Sequence, residues 1–320
     1  MPRRNKMTAS KEISTVILLL GLATPASVGF AQKPDDPAIF RTDTRLVVLH
    51  ATVVDKTGHL VTTLGQSAFQ VYENGVQQQV KLFKREDIPV SMGLVIDNSG
   101  SMRDKRAKVS AAAQDLVKNS NSEDEVFVVN FNDDAFLDTP DFTNDPKVLE
   151  QALNKIDSRG GTAMRDALRM SIDHIKGKAK KDKKVILVVT DGNDNASMIT
   201  IESLVKAAQQ SEVIIYAIGL LNEEERREAK RAKRALDALT EATGGQAWYP
   251  KDLNEVERIT SQVARDVRNQ YTIAYTPANL ALDGTFRQIR VVANGPNRPS
   301  VRTRTGYYAT PESARSASGN

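Results

Sequence analysis

Apolar positions along this chain fall into two textures, and the change between them divides it. From about residue 43 to 86 they alternate with polar ones. Leu46-Val47-Val48-Leu49 and Val53-Val54 precede a turn at Asp55-Lys56-Thr57-Gly58. Phe69 and Val71 alternate with polar neighbours, Asn74-Gly75 supplies a tight hairpin turn, and Val80 and Leu82 alternate on the return. After Pro89 the apolar residues run together. The stretches 90–96, 126–131, 185–189 and 213–218 have the continuous apolar character of strands buried on both faces. Between and after them, 105–118, 148–156, 163–175, 201–210, 223–242 and 253–267 carry apolar residues at helical spacing. Beyond residue 270 alternation returns with Tyr271, Ile273 and Tyr275, a run through Phe286, Ile289, Val291 and Val292, and a third stretch at 301–308.

Strands alternating with helices predict an α/β fold: a doubly wound, mostly parallel, Rossmann-like sheet with helices on both faces. The flanking β segments are each too small to build a good core alone. They are expected to pack together as a small β-sandwich-like module, with the α/β domain inserted between them. The predicted organisation is an N-terminal β region at 43–87, the α/β domain at 88–268, a C-terminal β region at 269–309 and a disordered tail at 310–320.

The N-terminal segment changes the picture of location. Arg3, Arg4 and Lys6 precede an apolar stretch at 13–23, and small residues lead to Gly29-Phe30-Ala31. This is the pattern of an export signal at 1–31 cleaved near Ala31. The stretch is shorter than the ~20 apolar residues of a spanning helix, and Pro25 interrupts its end. A polar linker with Pro34 and Pro37 follows at 32–42. The mature protein is therefore expected to be secreted or periplasmic, with no membrane insertion after signal cleavage.

Charge and cysteine usage narrow the chemistry. The signal holds four basic residues (Arg3, Arg4, Lys6, Lys11) and one acid (Glu12) out of totals of 44 and 40, which leaves 40 basic against 39 acidic. A nearly neutral body offers no broad field for phosphate backbones, and nucleic acid is not an expected partner. The absence of cysteine excludes disulfides, thiolate nucleophiles and zinc-thiolate sites. Three histidines, His50, His59 and His174, are a thin basis for a histidine-rich metal site or a triad.

Ligands of open parallel sheets sit beyond the carboxyl ends of the strands. Three polar groups fall there: Asp97-Asn98-Ser99-Gly100-Ser101 after the first buried strand, Gly160-Gly161-Thr162 before a helix, and Asp191-Gly192 after the third buried strand. Each residue type also serves as a helix cap or turn former. Together, hydroxyls and carboxylates suit a hard divalent cation, Mg²⁺, Mn²⁺ or Ca²⁺. Gly100 and Gly160-Gly161 let the backbone bend closely.

These pieces resemble the von Willebrand factor A-type domain over roughly residues 88–268. Asp97-Asn98-Ser99-Gly100-Ser101 matches its Asp-x-Ser-x-Ser motif, Gly160-Gly161-Thr162 its threonine loop, and Thr190-Asp191-Gly192 its second aspartate. Leu60-Val61, Phe69-Gln70-Val71-Tyr72-Glu73-Asn74-Gly75 and Arg304-Thr305-Gly306-Tyr307-Tyr308 are similar to the bacterial VWFA-related acidobacterial family. The resemblance implies a metal-ion-dependent adhesion site formed by Asp97, Ser99, Ser101, Thr162 and Asp191. It implies that Mg²⁺ is held chiefly by the hydroxyls, that the aspartates act through water, and that a carboxylate from a protein partner completes the shell.

Other polar groups have plainer readings. Asp166 and Asp194 suit helix starts and turns, and Arg165 a solvated surface. The basic run at 176–184 reads as a solvated loop, and Glu223 and Arg227 have helical ion-pair spacing on an exposed face. Trp248 and Tyr249 near a sheet edge read as core. Three functions are weighed: metal-dependent binding or adhesion, a structural part of an envelope or export assembly whose metal stabilises loops, and a Mg-dependent hydrolase. No nucleophile elbow, phosphate-cradling Gly-rich loop or His-Glu-x-x-His run is present, so no catalytic residue is assigned and a non-enzymatic protein is expected. The sequence leaves the oligomeric state open.

Overall fold

The structure, a computed structural model, describes residues 46–222 and 225–311. All of them fall in the unit Thr44–Asn320. The expected signal, linker and most of the tail lie outside the described residues, as does Glu223 of the suggested ion pair.

The chain begins with four strands, β1 Val47–Val54, β2 Phe69–Glu73, β3 Val76–Gln78 and β4 Val80–Lys84. The α/β block follows: β5 Val90–Asp97, α1 Arg106–Lys118, β6 Glu125–Phe131, β7 Ala135–Leu137, α2 Pro146–Leu153, α3 Met164–Lys178, β8 Lys183–Thr190, α4 Ile201–Ser211, β9 Ile214–Gly219, α5 Arg226–Thr243, β10 Ala247–Trp248 and α6 Glu255–Arg268. Four strands close the fold: β11 Tyr271–Tyr275, β12 Phe286–Ala293, β13 Ser300–Arg302 and β14 Gly306–Tyr308.

The central sheet has the order β10-β9-β8-β5-β6-β7. It is parallel except for β7, which turns back along β6. Both faces are apolar because both are covered. On one side β5, β6, β8 and β9 pack against α1, α2 and α6 through Met92, Leu94, Val109, Leu149, Leu187, Ile259 and Val263. On the other, Val95, Phe127, Val188 and Ile215 meet Leu168, Ile172, Leu204 and Leu236 of α3, α4 and α5. Every residue of β5 is buried, which accounts for its unbroken apolar run. The chain passes from β5 to β6 on one side and later returns to β8 on the other, so the topological switch lies between β5 and β8.

Helix ends follow local chemistry. Asp145 caps α2 by accepting from the Lys147 amide at 2.9 Å, with Pro146 at the first turn. Thr200 caps α4 in the same way through Ser203. Gly244 ends α5 in the left-handed conformation (φ 86°). Gly245 then passes so close to the Ile215 carbonyl that a side chain there would collide with it.

Strands from both flanks share two antiparallel sheets, β13-β1-β11-β4 and β14-β12-β2-β3. Val47 pairs with Tyr275, Lys84 with Thr272, and Val71 with Val291. Leu49, Ala51, Phe69, Val71, Tyr271, Ile273, Tyr275 and Tyr307 form the core between the sheets. Glu73 is buried there and accepts from the Tyr275 and Tyr307 hydroxyls at 2.7 and 3.0 Å, linking the two layers. Because β4 and β11 are hydrogen-bonded neighbours, the α/β block leaves and rejoins this module at adjacent strands.

The basic run at 176–184 is only partly a solvated surface. Lys183 opens β8, is wholly buried, and its ammonium donates to the Val267 carbonyl at 2.8 Å. Burial pulls its pKa down to about 8. Its charge helps to hold His50 neutral. His50 on β1 has its pKa lowered to about 3, first by burial and then by the Lys183 and Arg304 charges. Between about pH 3 and 6.5 the unfolded chain binds a proton at His50 that the folded chain does not, so stability falls as the pH falls through that window. Acidification from pH 7 to 4 is expected to remove about 1–3 kcal/mol through this residue, a figure set below the full shift because His50 retains some exposure. His50→Gln should flatten that part of the profile in urea unfolding measured at a series of pH values.

Candidate metal centre

Asp97 is the last residue of β5, and Ser99 and Ser101 lie in the tight turn that carries the chain into α1. Asp97, Ser99 and Thr162 are buried and Ser101 is exposed, so the cluster is dry below and open above. One Asp97 oxygen accepts from the Ser99 amide at 2.8 Å and the other from the Thr190 hydroxyl at 2.6 Å. Burial pushes the Asp97 pKa up to about 6, against the lowering effect of the Ser99 and Thr190 hydrogen bonds. A cation beside Asp97 would favour the ionised form.

The next oxygens form a chain. The Ser99 and Ser101 hydroxyls stand 3.2 Å apart, and Ser101 donates to Asp191 Oδ1 at 2.7 Å. Neighbouring ligands of an octahedral Mg²⁺ with bonds of ~2.1 Å lie about 3.0 Å apart, so these spacings suit such a shell. Asp191 follows β8, and its carboxylate is fully buried. Its second oxygen, Oδ2, is taken by the ammonium of Lys105, just ahead of α1. A cation thus already sits against this oxygen set.

Thr162 comes from the third loop and is placed by its backbone. Its amide donates to the Asn195 side chain at 2.9 Å, and its carbonyl accepts from the Asn195 and Ala196 amides. Its hydroxyl faces Gly192, where an added Cβ would stand 3.6 Å away. Gly160 (φ 72°) would collide with Asp133 if it had a side chain, and Asp133 also accepts from the Gly161 amide at 2.7 Å. The Gly100 amide donates to the Gly160 carbonyl at 3.2 Å, which ties the serine turn to the threonine loop. The three loops therefore meet, and they carry all five predicted residues: Asp97, Ser99, Ser101, Thr162 and Asp191.

Asp194 and Asp166 serve the surrounding loop. Asp194 accepts from the Arg165 amide, the Arg165 guanidinium and Ser197. Asp166 accepts from the Met198 and Ile199 amides. Beneath the site lies Arg106, fully buried, which donates to Ser110 and Asn130. Burial works against its charge, and the Asp97 and Asp138 charges work for it. Sequence reading missed Lys105, Arg106 and Asp133. The three histidines lie elsewhere, on β1, in the turn after it and on α3. Among the described residues no group of three or more His, Cys, Asp or Glu side chains is placed to hold a metal. The donor set here differs from such a group, having two carboxylates and three hydroxyls.

The sheet order and the rim at its switch point define an open α/β domain of the doubly wound class. Residues 92–193 match the family model described as von Willebrand factor type A domain. The chain carries a domain of that family. Such domains commonly bind a divalent metal and mediate protein–protein interaction or adhesion. Calcium-activated chloride channel regulator 1 of Equus caballus is 30% identical over 166 residues, which cover 50% of this chain and 17% of that protein. Its counterpart in Mus musculus matches to the same extent. The matched part of the chain thus spans only 17% of the length of these curated relatives. Among solved structures, the PilB minor pilin from Streptococcus sanguinis is 15% identical, with a TM-score of 0.46, over 57% of this chain and 62% of that one. The vWF domain of the type V pili tip protein Mfa5 from Porphyromonas gingivalis is 13% identical, with a TM-score of 0.47, over 57% and 95%.

Proposed function

We propose that the rim binds one divalent cation, Mg²⁺ foremost and Mn²⁺ or Ca²⁺ as alternatives of the same donor class, and with it a carboxylate of a protein partner. The carrying observation is the run of oxygens from Ser99 through Ser101 to Asp191, spaced at 3.2 and 2.7 Å and joined by the loop that bears Thr162. Bound there, the cation would supply a positive centre at which an anion replaces water. The chain's own groups do the rest. Ser99, Ser101 and Thr162 present hydroxyl oxygens, Asp97 and Asp191 supply negative charge, and Gly100, Gly160 and Gly161 let the loops close. The exposure of Ser101 leaves the partner's side open. The role is binding or adhesion without catalysis, carried out in the periplasm or outside the cell after removal of residues 1–31. Among the described residues no helix is long and apolar enough to cross a membrane.

Immobilised mature protein should capture its partner from an extracellular or periplasmic fraction in millimolar Mg²⁺ and release it in excess chelator. Capture that persists unchanged in chelator would overturn the adhesive reading. A rise in melting temperature with Mg²⁺ but no effect on capture would instead assign the cation to holding the loops.

A further inference from the structure

We infer that Lys105 is an internal counter-cation that holds the metal-free rim together and competes with the divalent ion for Asp191. This deepens the metal-site reading above and rests on it. Lys105 precedes α1, and its ammonium is bound to Asp191 Oδ2 while Ser101 holds Oδ1. Both oxygens of the second aspartate are thus occupied from within the chain. The Asp191 side chain is fully buried, whereas that of Lys105 is 27% exposed. The carboxylate is therefore fixed, and the flexible four-carbon stem of the lysine has a way out to solvent.

The charges around the rim explain why such a group matters. Asp97 and Asp191 contribute two negative charges, with the Asp97 charge acting on buried Arg106 and Lys105 paired with Asp191. Without metal the set is near balance, which lessens the cost of holding two buried carboxylates together. A divalent ion adds two positive charges beside a resident ammonium. Even at the dielectric constant of water, the repulsion between a divalent ion and a unit charge about 5 Å apart exceeds the equivalent of tenfold in affinity. The lysine must swing outward, or a partner carboxylate must bring further negative charge. Lys105 thus weakens binding of the metal alone and couples it to arrival of the acidic partner.

The test is titration of the purified mature chain with Mn²⁺ and with Mg²⁺ by calorimetry, for wild type, Lys105→Met and Lys105→Arg, alongside melting curves in chelator. Lys105→Met is expected to bind metal at least about tenfold more tightly than wild type. Lys105→Arg, which keeps the charge, should stay near wild type. In chelator Lys105→Met should melt below wild type, and saturating Mg²⁺ should raise its melting temperature by more than that of wild type. Binding by Lys105→Met equal to or weaker than wild type overturns the competition while leaving the metal site standing. An absence of metal binding by all three proteins overturns both.

Discussion

Replacement of Thr162 by alanine should weaken Mg²⁺ or Mn²⁺ binding by about 100-fold or more while leaving the melting temperature in chelator within a few degrees of wild type. A hydroxyl that touches the ion should matter at least as much as an outer-shell partner, for which losses of about 10- to 100-fold are usual. The fold should tolerate the change because Thr162 is positioned through its backbone. Its amide and carbonyl bonds with Asn195 and Ala196 do not involve the hydroxyl. Calorimetric titration gives the affinity, and a melting scan in chelator gives the fold. Undiminished metal binding by Thr162→Ala would remove the threonine loop from the site.

Loss of Arg106 should produce the largest fall in stability. Its side chain is fully buried, its guanidinium donates to Ser110 and Asn130, and the Asp97 and Asp138 charges favour its charged form. Ser110 in turn donates to the Leu153 carbonyl, and Asn130 to the Ala152 carbonyl and to Asp138. The arginine therefore joins the first helix, the second strand of the central sheet and the end of α2 beneath the candidate site. Burial lowers its pKa to about 10, which still leaves it charged at neutral pH. Arg106→Met keeps much of the volume but leaves the buried Ser110 and Asn130 oxygens without their charged donor and removes the cation nearest to buried Asp97. Breaking such a buried arrangement costs about 3–5 kcal/mol. For a domain of this size that corresponds to a fall of about 6–20 °C in melting temperature. Urea unfolding of the two proteins in chelator measures the difference directly, free of any contribution from bound metal. A loss below about 1 kcal/mol would show that the network relaxes around the gap.

The parts of this molecule legible in the sequence are those set by local pattern. Strands β5, β6, β8 and β9 lie in the middle of a covered sheet, so their apolar runs are continuous, and Asp97 and Asp191 mark where β5 and β8 end. The meeting of Asp97, Ser99, Ser101, Thr162 and Asp191 at one rim was legible because three loops of a single sheet edge each carry a distinctive polar group. The start of α2 at Pro146 was also signalled, by Asp145-Pro146, although apolar spacing alone placed it two residues later. Strand β7 had no such signal. It is three residues long, and Phe136 at its centre is exposed at the sheet edge. Lys105, Arg106 and Lys183 were hidden for a different reason. Charged residues at a helix start or in a basic run ordinarily face water, and only the tertiary arrangement decides otherwise. Arg106 is buried because Asn130 and the Asp97 charge converge on it, and Lys183 because the Val267 carbonyl at the end of α6 is within its reach. Asp133 supports the threonine loop across 28 residues of chain, a pairing that no local spacing reveals.

The pairing of Lys84 with Thr272 gives the chain the topology of a hairpin whose loop is an entire folded domain. Lengthening a loop between fixed ends adds entropy cost only logarithmically, so a long excursion there is tolerable provided it folds on itself. The antiparallel scaffold is also braced against that excursion, through Arg302 on Asp266 and Arg304 on Glu212. Such an arrangement would let the α/β block be gained, lost or exchanged by recombination without rethreading the strands of its host.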